Sequence, residues 1–458
     1  MSDTLMISVS GMRGHVGTDL TPELVARHAA ALGAWARSGV TGGSRPAVVL
    51  GRDARTSGPM FAHAAAAGLM SVGVDVVDLG VVPTPTVQLA VEHHHAVAGL
   101  ILTASHNPIE WNALKFVGPD GIFLDAAAGE RVRALAEQGP ERAGWDGIGE
   151  LREDPEAVSR HLDAVLGLPV IDVAAIRGRR FHVALDCVRG AGAVAMLPLL
   201  ERLGCRVSGI NLEPDGRFPR APEPVPENLG DLGRLVRESG ADLGFAVDPD
   251  VDRLAVVDGN GRAIGEDYTL AFAVRAVLDG RGKPAAPPTV VANLSTSLVV
   301  EDAARAVGAT LERAPVGEAN VARAIRERGA VIGGEGNGGV MYPALHIGRD
   351  APLGVALILH LLATSGVTVS QLVESSPRYT IVKAKGPRSS QLGPLYERLR
   401  RRFADAATDD RDGLRLSWAD RWLHIRPSGT EPIVRLIAEA PTQAEAEALV
   451  AAGRELLK

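Results

Sequence analysis

The chain has 458 residues, of which 46% are hydrophobic and 22% charged, and its formal net charge is −7. This is the balance of a soluble globular protein with room for three or four domains at about 100–200 residues each, and it excludes a general nucleic-acid binder, which needs a strongly basic face. Two cysteines outside any Cys/His cluster, Cys187 and Cys205, predict reduced thiols rather than a disulfide framework.

The start Met1–Thr4 lacks the basic and apolar regions of a secretion signal, and no apolar run reaches the roughly 18 residues that would span a membrane. The expected location is cytoplasmic, with no membrane and no nucleic-acid partner.

Apolar β-branched runs alternate with longer Ala/Leu/Arg stretches along the chain. Residues 22–37 and 59–71 read as helices, and 47–50, 74–77 and 99–102 as strands, the rhythm of βαβ units. The three histidines at 93–95 read as the exposed end of a helix. The rhythm returns with strands at 181–186 and 243–247 and a helix at 192–203. It returns again with a strand at 289–292, a helix at 298–307 and a strand at 330–333. The stretch 280–288, rich in Gly and Pro, must be a loop. Ser375–Pro377 closes the third unit. Beyond it the pattern changes to a strand at 379–384, a helix at 392–404, strands at 422–425 and 433–438, and a helix at 443–457. The expected fold is three related α/β domains with mixed sheets plus a smaller C-terminal α+β domain around a central cleft. The expected domains are residues 1–153, 154–257, 258–374 and 375–458.

Four loops carry candidate chemistry. Thr103-Ala104-Ser105-His106-Asn107-Pro108 follows a strand, at the sheet edge where open α/β proteins bind ligands. A serine beside a histidine suits a nucleophile, and an Asn-Pro turn capped by serine is the plain alternative. Asp248-Pro249-Asp250-Val251-Asp252-Arg253 sets three carboxylates two residues apart. They repel unless a cation holds them, and hard oxygen ligands suit Mg2+. An EF-hand is excluded because Arg253 and Gly259 stand where it needs Gly and Glu. A solvated acidic turn is the plain reading. Gly333-Gly334-Glu335-Gly336-Asn337-Gly338-Gly339 offers two polar side chains on a backbone that a ligand can approach closely. It is either a sugar-reading loop or a flexible turn, and it is not a Walker loop. Arg426-Pro427-Ser428-Gly429-Thr430-Glu431-Pro432, with Arg435 beyond, is a compact phosphate cradle that is also a hairpin turn.

With these loops in this order the sequence resembles the α-D-phosphohexomutase superfamily of phosphoglucomutases, phosphomannomutases and phosphoglucosamine mutases. The likeness runs end to end. It includes Ser10-Gly11-Met12-Arg13-Gly14, Gly51-Arg52-Asp53, Pro83-Thr84-Pro85, Asp186 with Gly190-Ala191-Gly192, and Pro214–Pro219 leading to Pro222-Glu223-Pro224. The resemblance implies that Ser105 is a phosphoserine and that Asp248, Asp250 and Asp252 bind Mg2+ together with a phosphoserine oxygen. It implies catalytic roles for Lys115, Arg13 and Arg253, and His106, the histidine beside the serine, is a further catalytic candidate. Lys115 is the sole lysine before Lys283 in an arginine-using chain, so an amine is wanted there. Glu335 and Asn337 fall in the sugar loop, with His346 and Arg349 beside it. Arg426, Ser428, Gly429, Thr430 and Arg435 grip the non-reacting phosphate.

The implied activity interconverts hexose 6-phosphates and hexose 1-phosphates, with a hexose 1,6-bisphosphate as intermediate and activator and the last domain as a lid. The implied partners are small hexose phosphates, and the protein is a monomer or homodimer. Many members have Ser where Asn337 stands and His where Gly339 stands. The Asn337 loop points first to glucosamine phosphates, with mannose and glucose phosphates as the alternative. The absent histidine leaves its proton-handling role open, and His346 is the nearest substitute. A silent homologue and a simple phosphatase are the rival classes. The first is disfavoured by the intact serine and aspartates, and the second has no use for a phosphate cradle in a fourth domain.

Overall fold

A computed structural model describes residues 5–8, 11–39, 45–279, 286–387, 392–428 and 433–457. Within them the expected fold class is found, as three α/β units with mixed sheets and a C-terminal unit on an antiparallel sheet. The first sheet contains β1 (Met6–Ser8), β2 (Gly11–His15), β3 (Ala47–Arg52), β4 (Asp75–Val81), β5 (Ala98–Leu102), β6 (Trp111–Val117) and β7 (Leu151–Glu153). The second contains β8 (His182–Asp186), β9 (Arg206–Ile210), β10 (Leu243–Val247) and β11 (Leu254–Asp258). The third contains β12 (Thr289–Asn293), β13 (Thr310–Ala314), β14 (Ile332–Glu335) and β15 (Gly339–Met341). The last contains β16 (Thr380–Pro387), β17 (Ala407–Asp409), β18 (Leu414–Ser417), β19 (Trp422–Pro427) and β20 (Ile433–Ala440).

The three α/β units repeat one topology. Their strands run β6-β5-β3-β4, β11-β10-β8-β9 and β15-β14-β12-β13. In each of these four-strand sets (β3–β6 in the first unit, where β2 and β1 lie beyond β6 and β7 beyond β4) the first three strands in sequence are parallel and the fourth returns antiparallel on the third. The connection from third to fourth strand therefore always leaves the carboxyl end of a parallel strand. Those connections are residues 103–110, 248–253 and 336–338, which are three of the four loops singled out above. One repeated fold thus supplies the serine, the aspartates and the glycine-rich segment from equivalent places.

Local chemistry explains the elements. Strands β5, β8 and β10 are buried at every residue, so they are continuous apolar runs, as sheets covered on both faces require. Helix Pro22–Arg37 starts where Thr21 caps Leu24 N, with Pro22 in its first turn, both ordinary start signals. Helix Ala351–Ser365 is buried over most of its circumference. It packs on helix Asp267–Leu278 inside a core that runs without a break from Leu162 to Val373, so the second and third units share one interior. The first unit buries both faces of its sheet separately, and the last has its own core.

Several strands run past their predicted ends, β4 to Val81 and β16 to Pro387. Strands β2 and β6 were not predicted, because Gly11-Met12-Arg13-Gly14-His15 lacks a β-branched run and Trp111–Val117 carries Asn and Lys inside it. Of the loop expected at 280–288, residues 280–285 lie outside the described residues. The described residues include no helix long and apolar enough to cross a membrane. Both cysteines are free thiols.

Candidate active site

Ser105 sits at φ +49°, in the left-handed region that a non-glycine residue enters only under constraint. The constraint is visible. Ser105 N donates to Thr103 Oγ1 at 2.8 Å, and Ser105 O accepts from Arg55 Nη2 at 2.7 Å. Arg55 is fully buried. It also donates to the carbonyls of Asn107, Pro108 and Trp111, at 2.7, 2.6 and 2.9 Å, and to Asp53 Oδ2 at 3.0 Å. The loop is thereby folded around one guanidinium.

Ser105 Oγ points out of this loop at the aspartate loop and donates to Asp248 Oδ2 at 2.8 Å. His106 Nδ1 lies 3.3 Å from the same oxygen. Burial, then Arg253 and Arg13, push the His106 imidazole well below its usual pKa, so it is neutral.

The aspartate loop is wholly buried and holds Val251 at φ +63°, a strained position for a β-branched residue. Asp248, Asp250 and Asp252 each offer an oxygen within 4.8 Å of the others. Lys115 Nζ reaches Asp250 Oδ2 at 2.7 Å and Asp252 Oδ2 at 3.9 Å. Thr84 Oγ1 donates to Asp250 Oδ2 at 2.9 Å. Burial, then Asp250 and Asp252, push the Asp248 carboxyl well above its ordinary range. Burial also works against charge on Asp250, yet Lys115 and the hydrogen bonds hold that carboxyl below its usual range. Oδ1 of Asp250 and Oδ1 of Asp252 are buried with no hydrogen-bond partner. Such atoms are costly unless something binds them. A cation that prefers oxygen ligands fits this donor set, so the triad can hold a metal.

Arg349 joins this centre to the glycine-rich loop. Its Nη2 donates to Asp252 Oδ2 at 2.6 Å, its Nη1 to Glu335 Oε2 at 2.9 Å, and its Nε to Glu318 Oε2 at 3.0 Å. Every nitrogen of the guanidinium is engaged, and the three carboxylates raise its pKa well above the ordinary value against the effect of burial. Glu335 is itself buried. It accepts from Asn293 Nδ2 at 2.8 Å, Gly317 N at 3.0 Å and Asn337 Nδ2 at 3.4 Å in addition to Arg349. Its acceptor positions are largely spent on protein donors, whereas Asn337 is only partly buried. A Cβ on Gly339 would stand 2.2 Å from Arg349 Cδ, so the Arg349 stem fills the space that a side chain at 339 would need. His346 is engaged elsewhere. Its Nε2 lies 3.0 Å from Asp350 Oδ2, which also takes His161 Nε2 at 2.8 Å.

Arg13 Nη1 donates to Asn107 Oδ1 at 2.6 Å, and burial lowers its pKa. Arg253 N donates to Asp248 Oδ1 at 3.2 Å and its Nη1 to Glu223 Oε1 at 3.1 Å. In the last unit Arg426 lies directly opposite Arg435 on the paired strand, and Arg435 directly opposite Lys385 on the next. Like charges in register destabilise a sheet, and an anion across the row offsets that cost. Arg426 Nε binds Asp412 Oδ2 at 2.8 Å. Ser428 is buried, its N–H on Ile433 O at 2.8 Å. Gly429 and Thr430 lie outside the described residues. The serine and aspartate loops touch directly, the glycine-rich loop joins the aspartate loop through Arg349, and the fourth is tied to the third unit through Asp412 and Val316 N at 3.0 Å.

Sequence reasoning missed Arg55, Thr84, Asp412, Glu318 and Lys385. Only Thr84 lay in a segment it had singled out, Pro83-Thr84-Pro85.

Comparison with known proteins matches the four parts of one family. These are the phosphoglucomutase/phosphomannomutase α/β/α domains I, II and III at residues 5–143, 159–261 and 265–379, and its C-terminal domain at 391–456. The phosphoglucomutase/phosphomannomutase of Thermococcus kodakarensis is 38% identical, over 98% of this chain and 97% of that protein. A probable phosphoglucosamine mutase of Methanopyrus kandleri is also 38% identical, over 96% of this chain and 95% of its own length. The crystal structure of a phosphoglucomutase/phosphomannomutase family protein from Burkholderia thailandensis superimposes with a TM-score of 0.85 at 26% identity, covering 99% of this chain and 97% of that one.

Proposed function

The chain belongs to the phosphoglucomutase/phosphomannomutase family of α-D-phosphohexomutases, and from that premise we propose that it interconverts hexose 6-phosphates and hexose 1-phosphates through a phosphoserine at Ser105. The observation that carries the reading is the 2.8 Å hydrogen bond from Ser105 Oγ to Asp248 Oδ2, which joins the acceptor of the phosphoryl group to a triad with two buried oxygens that accept no hydrogen bond. Asp248, Asp250 and Asp252 would hold Mg2+. When bound, the ion neutralises charge on the phosphoryl group beside Ser105.

The chain's own residues do the rest. Arg55 and Thr103 hold Ser105 in its strained conformation, so Oγ faces the triad without rearrangement. Phosphoserine carries about −1.5 to −2 charge, and Lys115, Arg13 and Arg253 supply positive charge around it. In the first transfer the bond from phosphorus to Ser105 Oγ breaks and a bond to a sugar hydroxyl oxygen forms. The proton that the sugar hydroxyl loses is matched by one that Ser105 Oγ gains, so no net proton is exchanged and Ser105 ends as a hydroxyl that donates to Asp248. The product is a hexose 1,6-bisphosphate. When it reorients and returns its other phosphate to Ser105, the isomer is complete and the charge unchanged. Catalysis on this scheme is positioning and electrostatic stabilisation.

The non-reacting phosphate is held by Arg426, Ser428, Thr430 and Arg435, whichever end of the sugar it occupies. We assign the sugar preference to Asn337, whose amide donates and accepts. Glucosamine phosphates are the first candidates, with mannose and glucose phosphates the second reading, since relatives of equal identity carry both kinds of name. The test is a panel of 1- and 6-phosphates of glucose, mannose, glucosamine and N-acetylglucosamine, with a 1,6-bisphosphate as activator. The expected result is turnover with the highest kcat/KM for glucosamine phosphates and phosphate mapping to Ser105. Absence of mutase turnover on the whole panel sinks the proposal.

A further inference from the structure

Two consecutive N–H groups of the third domain reach the glycine-rich loop and Asp412, the partner of Arg426 in the phosphate cradle. Val316 N donates to Asp412 Oδ2 and Gly317 N to Glu335 Oε1, each at 3.0 Å. Gly317 has φ +120°, a conformation open to glycine, and it lets consecutive N–H groups serve carboxylates in two different domains. The oxygen of Asp412 that takes Val316 also takes Arg426 Nε at 2.8 Å.

The turn bearing Asp412 is shaped for that contact. Gly413 has φ +86°, and a Cβ there would stand 2.4 Å from Ile425 O and 2.8 Å from Arg426 Cα. A second route joins the same two ends. The Asp412 carbonyl accepts from His424 Nε2 at 2.7 Å, and the other ring nitrogen of His424 lies 2.8 Å from Ser295 Oγ. Ser295 N donates to Asn293 Oδ1 at 2.8 Å, and Asn293 Nδ2 donates to Glu335 at 2.8 Å.

We propose that Asp412 is a positioning residue: it aims the Arg426 guanidinium and ties it, through the consecutive N–H groups of Val316 and Gly317, to Glu335, so that the spacing between phosphate grip and sugar loop is fixed by one hydrogen-bonded chain across two domains. A guanidinium is a rigid planar fork. A carboxylate on Nε sets the plane of that fork and therefore the direction of its other edge. The proposal rests on the reading of Arg426 as the phosphate grip.

The experiment is calorimetric titration of the full chain with a hexose 6-phosphate and a hexose 1-phosphate, in wild type, Asp412→Asn, Arg426→Ala and the double variant. Asparagine keeps one acceptor for Val316 N and removes the charge facing Arg426. The expected loss in Asp412→Asn is roughly ten-fold in affinity for both ligands, the size of one charge-assisted hydrogen bond. The double variant binds no more weakly than Arg426→Ala alone, and in kinetics the loss falls on KM for both isomers by the same factor.

Losses that add, or wild-type affinity in Asp412→Asn, overturn the positioning role while leaving the phosphate grip standing. Wild-type affinity in Arg426→Ala overturns the grip itself. If Asp412→Asn does not fold, Arg426→Lys carries the test, since it keeps the charge and lacks the Nε bond. It binds about as weakly as expected for Asp412→Asn, and full affinity in it overturns the proposal.

Discussion

Arg55 and Ser105 are 50 residues apart in the chain, and the Arg55 Nη2 to Ser105 O hydrogen bond of 2.7 Å holds the serine at φ +49°. The guanidinium touches three carbonyls of the loop, the carbonyl of Trp111 at the start of β6 and one carboxylate, and no part of it is exposed. It reads the backbone of the loop rather than any side chain.

Lysine at this position retains the charge but presents a single point donor, so it cannot serve four carbonyls in fixed directions. Arg55→Lys is expected to lower kcat by about a hundred-fold, the cost of roughly 1 Å of misplacement at a reacting group. Phosphate incorporation at Ser105, read by intact mass, falls with it. Unchanged kcat in Arg55→Lys removes the role argued for the guanidinium.

The legible part of this protein was what depends on short-range pattern. Apolar runs such as Leu243–Val247 announced strands, and charge or glycine clusters announced three of the loops at their ends. Arg55 was invisible because its partners are main-chain carbonyls, which leave no trace in side-chain sequence. Lys115 to Asp250 spans 135 positions and Asp412 to Val316 spans 96, so such pairs exist only after domains assemble. Glu335 was expected to face a sugar. Its sequence context could not disclose that Asn293, Gly317 and Arg349 already use its oxygens.

The buried Oδ1 atoms of Asp250 and Asp252, which accept no hydrogen bond, make a thermal prediction. A ligand that binds only the folded state stabilises by about 2.7 kcal/mol at a hundred-fold excess over its Kd. Adding Mg2+ to metal-stripped protein is therefore expected to raise Tm in calorimetry, and Asp252→Asn to abolish most of that rise. Equal Tm with and without the ion counts against the triad as a metal site.

Gly339 is expected to resist the side chain that many resembling proteins carry there. Gly339→His drives Cβ into the Arg349 stem, 2.2 Å away, and must displace the residue that bridges Asp252 and Glu335. The expected cost is about 1–3 kcal/mol in denaturant unfolding, the usual range for overpacking a filled site, together with reduced turnover. A stable and fully active Gly339→His variant means that Arg349 can relocate freely.

His424 gives a pH dependence whose sign can be worked out. Burial pushes its pKa down from 6.5 to about 4, with Arg426 and Arg415 acting in the same direction against Asp412. A group with a depressed folded pKa that is neutral in the fold contributes stability in full above the unfolded value. That stability drains as pH falls from about 6.5 towards 4, because the unfolded chain takes the proton first. The shift corresponds to about 3 kcal/mol. His424 links the third and fourth domains through Ser295 and Asp412, so the loss is expected in the C-terminal domain. Chemical denaturation at several pH values checks it, with Trp422 and Trp418 fluorescence as the local probe. His424→Gln, which does not titrate, is expected to flatten the profile in that window, and an identical slope in the variant would assign it to other groups.

The division of labour between the two recognition loops is the prediction with most bearing on substrate. Asn337 is partly exposed beside the spent acceptors of Glu335, and its amide can turn to meet either a hydroxyl or an amine. Serine is shorter and has a single hydroxyl, so Asn337→Ser is expected to change the kcat/KM ratio between glucosamine phosphates and glucose or mannose phosphates by several-fold, about what one neutral hydrogen bond supplies. In the proposed scheme Arg426 recognises only the phosphate, which is common to all of them. Arg426→Ala is expected to lower kcat/KM for every hexose phosphate by a similar factor, roughly ten-fold or more for a lost charge-assisted bond, and to leave the ratio between sugars as in wild type. The two variants measured on the same four sugars, each from the 1-phosphate and the 6-phosphate side, give independent readouts of ratio and magnitude. If Arg426→Ala alters the ratio while Asn337→Ser leaves it untouched, the assignments of the two loops are reversed.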